Sequence, residues 1–125
     1  MWPEDDVAVA ANRMFSVVSV RIELLYFDGC PSYQALLLKL QDALERGGIV
    51  EEIELRQVAT LDAAEAEHFL GSPTLRIDGE DIDPSAAARS DYGIKCRIYR
   101  SAEGVGGVPP EQWITDALQR HSQEA

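Results

Sequence analysis

The chain has few basic residues and even fewer cysteines. Lys and Arg number 11 against 22 Asp and Glu, a formal net charge of -11. An acidic surface repels phosphate backbones and anionic headgroups, so neither a nucleic-acid partner nor a membrane partner is expected. No uninterrupted apolar stretch approaches the roughly 20 residues that a membrane-spanning helix needs. The two cysteines are too few for a disulfide framework. The acidic N-terminus lacks the basic region of a secretory signal, and these absences together predict a thiol-reducing, cytoplasmic setting. There are only two histidines, and neither His68 nor His121 has ligand spacing with a cysteine, so no metal site is expected. The acidic run Asp78–Asp83 lacks the calcium-loop pattern and reads as a solvated turn. The glycines at 104–107 are not followed by Lys-Ser/Thr, so a phosphate loop is not supported. No cofactor is expected.

What the chain does have is one informative stretch, Leu24–Tyr33, with the sequence LLYFDGCPSY. Apolar and aromatic residues (Leu24, Leu25, Tyr26, Phe27) suit the end of a buried strand, which Asp28 and Gly29 then break. Cys30-Pro31 opens a segment with helical spacing. Unpaired N–H groups and the positive end of the dipole at a helix start favour a thiolate over a thiol. Cys30 is therefore the candidate nucleophile, with burial as a small apolar residue the plain alternative. Asp28 is a base or, by turn chemistry, a residue bonding its own backbone. Tyr26 and Tyr33 flank the site, to pack or to hydrogen-bond the sulfur.

Residues 1–16 are expected to form a flexible extension, with at most a short strand at Val7–Ala10, and 122–125 a tail. Between them, 17–121 form one domain. Val17–Phe27 reads as a strand covered on both faces. Pro31–Arg46 reads as an amphipathic helix stopped by Gly47-Gly48. Ile49–Ala59, half polar, suits an edge strand, and a right-handed parallel βαβ unit follows. Thr60–Leu70 is a short helix capped by Thr60 or Asp62. Ser72–Gly79 is a strand introduced by Pro73, a residue that can be cis there. Glu80–Ile94 is a connection, Lys95–Arg100 a last strand, Ser101–Pro109 a flexible loop and Pro110–His121 a final helix. The predicted order is β-α-β-α-β-β-α.

That order, with Phe27-Asp28-Gly29-Cys30-Pro31 at the first helix and Gly71-Ser72-Pro73-Thr74 before the third strand, resembles the thioredoxin superfamily in its short, glutaredoxin-like form. Leu75-Arg76-Ile77-Asp78-Gly79 and Cys96-Arg97-Ile98-Tyr99 are also similar to a bacterial thioredoxin-like group sometimes labelled alkylmercury lyases. The resemblance implies an α/β fold: a four-stranded mixed sheet with helices on both faces. It also implies that Pro73 is a cis-proline beside the attacking Cys30. Ser72 would then offer strand-like hydrogen bonds to an incoming thiol partner, and Tyr33 and Asp28 would border the substrate. The family's dithiol pattern is Cys-x-x-Cys, and here Tyr33 stands in the fourth place, so Cys30 has no local resolving thiol. Cys96 is the other thiol. In the implied topology it begins the fourth strand, at the sheet edge opposite Cys30 and beyond the ~7 Å Cα reach of a disulfide unless the 80–94 loop shifts the hairpin register, so Cys96 reads first as a half-buried strand residue.

Three functions stay open. The first is monothiol thiol–disulfide or glutathione-linked redox chemistry, with the thiol or disulfide of a small molecule or protein as partner. The second is thiophilic metal or organomercurial binding. The third is a non-catalytic thioredoxin-like binding module.

Overall fold

The computed structural model describes residues 20–122. The expected extension, the strand at Val7–Ala10, the first residues of the strand from Val17 and all but the start of the tail lie outside the described residues. The elements are β1 (Ile22–Tyr26), α1 (Ser32–Arg46), β2 (Ile53–Gln57), α2 (Leu61–Ala66), β3 (Thr74–Ile77), β4 (Glu80–Asp81), β5 (Tyr99–Ser101), β6 (Gly104–Gly106) and α3 (Glu111–Ser122), with a 3₁₀ turn at Ala86–Ala88.

Four strands make a mixed sheet in the order β2-β1-β3-β4. β1 pairs in parallel with β2 and antiparallel with β3, and β4 returns antiparallel to β3. Alternation along β1 gives each face its own cover. Ile22 and Leu24, with Leu75 and Ile77 beside them, pack under α1 (Leu36, Leu40, Leu44) and α3 (Ile114, Leu118). Leu25 points the other way, into a smaller cluster with Val58, Ala64 and Phe69 around α2. Glu23 shares that second face and is buried, paired with Arg56 at 2.7 Å and Arg21 at 3.0 Å.

Backbone chemistry sets the helix ends. After α1, the Gly48 N–H reaches the Glu45 carbonyl and the Ile49 N–H the Leu44 carbonyl, with Gly48 at φ +68°. This is the paired closure of a helix ending in a left-handed glycine. α2 begins at Thr60, whose Oγ accepts from the Ala63 N–H at 3.1 Å. It stops short of the expected Leu70 because His68 takes the left-handed position, φ +56°, with the Phe69 N–H on the Ala64 carbonyl. Arg76 also donates to the Glu67 and His68 carbonyls there.

The second half differs from expectation. Lys95–Arg100 is not the fourth strand of the sheet. Asp78 and Gly79, at φ +54° and +82°, form a tight hairpin, and Glu80–Asp81 fills the fourth place. Residues 99–101 pair instead with 104–106 in a separate two-stranded sheet, within what the sequence suggests is a flexible loop. The observed order is thus β-α-β-α-β-β-β-β-α. No helix of the described residues is long and apolar enough to cross a membrane.

Candidate functional site

The candidate site lies at the end of the sheet where β1 finishes and β3 begins. After Tyr26 the chain turns through Phe27–Cys30, closed by the Cys30 N–H on the Phe27 carbonyl at 3.3 Å. Gly29, at φ +92°, takes the third position, where a positive φ is required. Asp28 is exposed at the second, and the backbone rather than its carboxylate closes the turn. Pro31 occupies the cap position of α1 and Ser32 is the first helical residue, one later than expected. Pro31 brings no side-chain cap, so the free N–H groups of the first turn stay directed at the Cys30 end. Cys30 itself is buried, 3% exposed. Tyr26 and Tyr33 stack on each other, centroids 4.3 Å apart, and pack against the main core.

Gly71–Thr74 forms the facing wall. The register Leu25↔Thr74 carries Pro73 alongside Tyr26 and Ser72 alongside Phe27. The Ser72–Pro73 peptide bond is cis. Ser72 is buried, and its Oγ accepts from the Phe27 N–H at 3.3 Å. The carbonyls of Gly71, Ser72 and Pro73 each have a donor: Thr74 Oγ to Gly71 at 2.6 Å, the Arg97 N–H to Ser72 at 2.9 Å and the Tyr99 hydroxyl to Pro73 at 2.6 Å. The Ser72 N–H donates to the Lys95 carbonyl at 2.8 Å.

Cys96 is therefore not at the opposite edge. Residues 95–97 run parallel to Ser72, with Cys96 as its bridge partner. The topological argument that separates Cys96 from the Cys30 end fails because the segment carrying it never enters the main sheet. Both cysteines are free thiols; Cys96 is exposed. It borders a cleft of about 430 Å³ with Lys95, Arg89, Arg100 and Ile98. A larger cleft, about 600 Å³, lies between the β3–β4 hairpin and α3, lined by His68, Tyr92 and Trp113 among others, and neither cysteine reaches it.

Arg97 holds the 95–99 segment in place. Its fully buried guanidinium makes two 2.9 Å bonds to Asp81, one of 3.0 Å to Thr74 Oγ and an ion pair at 3.5 Å to Asp83. It also lies over the Tyr99 ring, 4.6 Å from the centroid. Its Nε is buried without a partner among the described residues. Burial pushes the Tyr99 phenol well above its ordinary range, with the Arg97 charge opposing, so the hydroxyl stays a donor to Pro73. Asp81 and Asp83 therefore form no simple solvated turn.

Sequence reading missed Arg97, Asp81, Thr74 and Tyr99. The signal was the alternation in KCRIYR, which sets Arg97 and Tyr99 on one side and Cys96 and Ile98 on the other. His68 stacks on Tyr92, and His121 contacts Glu80 and Asp78. Among the described residues no group of three His, Cys, Asp or Glu is arranged to hold a metal ion.

No protein-family model matches the chain, and neither does any curated protein or any solved structure.

Proposed function

We propose that this mixed α/β domain is thioredoxin-like and takes part in thiol–disulfide or glutathione-linked exchange, with Cys30 as the nucleophile. One observation carries the reading. Cys30, in the turn between β1 and α1, shares one end of the sheet with the cis Ser72–Pro73 peptide, tied to it through Phe27. A four-stranded mixed sheet is also what the resemblance implies. In the reaction, the Cys30 thiolate attacks one sulfur of a disulfide. The substrate S–S bond breaks, the leaving thiolate takes a proton from water, and Cys30 keeps the other half as a mixed disulfide. A thiol then releases that half. The partner class is a small-molecule or protein thiol or disulfide, in a thiol-reducing, cytoplasmic setting.

The test is turnover of a small mixed disulfide with glutathione as reductant. Cys30→Ser is expected to abolish it; a variant that keeps wild-type turnover overturns the reading and leaves a binding module. The thiophilic-metal reading gains from the two free thiols at one end of the domain. It requires that mercury(II) bind one per chain and that loss of either thiol weaken binding.

A further inference from the structure

We infer that Cys96 is the second redox thiol, and that the oxidised form of the protein carries a Cys30–Cys96 disulfide. The inference rests on the thioredoxin-like reading and extends it. That reading gives Ser72 the task of pairing its backbone with an incoming thiol-bearing strand. In this molecule both backbone groups of Ser72 are already engaged: its N–H by Lys95 and its carbonyl by the N–H of Arg97. The residue between those two is Cys96. The chain thus places its own segment where a partner strand would lie, with a cysteine at the central position.

The position of the segment fits. The Ser72 side chain is turned toward Phe27, the residue that opens the Cys30 turn. Arg97 and Tyr99 are anchored inward to Asp81, Thr74 and Pro73, which leaves Cys96 outward and accessible. A strand held this way needs no Cys-x-x-Cys spacing, because the second thiol comes from sequence-distant chain.

The chemistry balances in two exchanges. Cys30 first takes half of a disulfide R–S–S–R′ as a mixed disulfide, releasing R′–S⁻. The Cys96 thiolate then attacks the Cys30 sulfur, forming Cys30–S–S–Cys96 and releasing R–S⁻. The substrate disulfide gains two electrons; the protein dithiol loses two electrons and two protons. A dithiol reductant reverses the change.

The experiment treats the reduced full-length protein with glutathione disulfide, blocks remaining thiols in denaturant, and measures intact mass. For the wild type the expected product is a monomer that has lost two hydrogens and takes up no alkylating agent. Cys96→Ser, an exposed substitution, is expected instead to stop with one glutathionyl group on Cys30. If the wild type also stops with glutathione on Cys30, the Cys96 role is overturned while the exchange reading stands. If Cys30 stays unmodified in both proteins until they unfold, the exchange reading itself fails, and this inference with it.

Discussion

At the scale of single residues, the least tolerant position is the buried Arg97. Taking one partner from a buried ion pair leaves a charge that neither water nor protein solvates, at a cost of about 3–5 kcal/mol. Asp81→Ala removes two of the guanidinium's bonds and leaves Thr74 and Asp83. We expect it to lower the unfolding free energy by about 3 kcal/mol in urea titration. Adding Arg97→Met should recover part of that loss, because it removes the stranded charge while keeping apolar bulk over Tyr99. If the double variant is less stable than Asp81→Ala alone, the buried charge is not the cause. The turn and helix start around Cys30 were legible because Asp-Gly-Cys-Pro is local chemistry. Arg97 was not, since its meaning depends on Asp81 and Thr74, which lie 16 and 23 residues away in sequence.

At the scale of elements, left-handed backbone decides where chain segments end. Gly71 and Gly79 both have positive φ, +128° and +82°, but they differ in surroundings. A Cβ at Gly71 would come within 3.0 Å of the Lys95 carbonyl and 3.1 Å of the Arg97 side chain, whereas one at Gly79 meets nothing within 4 Å. Gly79→Ala is thus expected to cost only the conformational term, about 1 kcal/mol. Gly71→Ala should cost about 2–3 kcal/mol and also loosen the 95–97 segment, raising the alkylation rate of Cys96. Equal effects on stability would mean that the close approach at Gly71 is absorbed by relaxation. The same backbone logic explains what was legible. The helix stop at Gly47-Gly48 and the cap at Thr60 follow from local residue preferences. The β3–β4 hairpin was carried by Asp78-Gly79, a strong turn signal, but four residues of β3 and two of β4 give too little alternation to read as paired strands. Assigning the fourth strand to KCRIYR followed, and with it the wrong edge for Cys96.

At the scale of the whole molecule, the acidic excess is organised by a small set of arginines. Arg21, Arg56 and Arg76 link Glu23 and Glu67 across the α2 face. The hydrogen bond from Arg56, helped by the charges of Arg56 and Arg76 and opposed by burial, holds the Glu67 carboxyl below its usual 4.5. Because the folded value is the lower one, this contribution is complete above about pH 4.5 and fades as pH falls through the folded value. The unfolding midpoint of the wild type should therefore fall more steeply with acid than that of Glu67→Gln. Parallel pH profiles would place the acid sensitivity elsewhere. The engagement of Ser72 by residues 95–97 also has a consequence for affinity. Any outside strand that pairs with this edge must wait until the chain's own segment lifts away. Its apparent dissociation constant is then the intrinsic one divided by the open fraction. The amide protons of Ser72 and Arg97, which that lifting frees together, should show one common opening free energy in hydrogen exchange, and that value reports how often the edge is on offer.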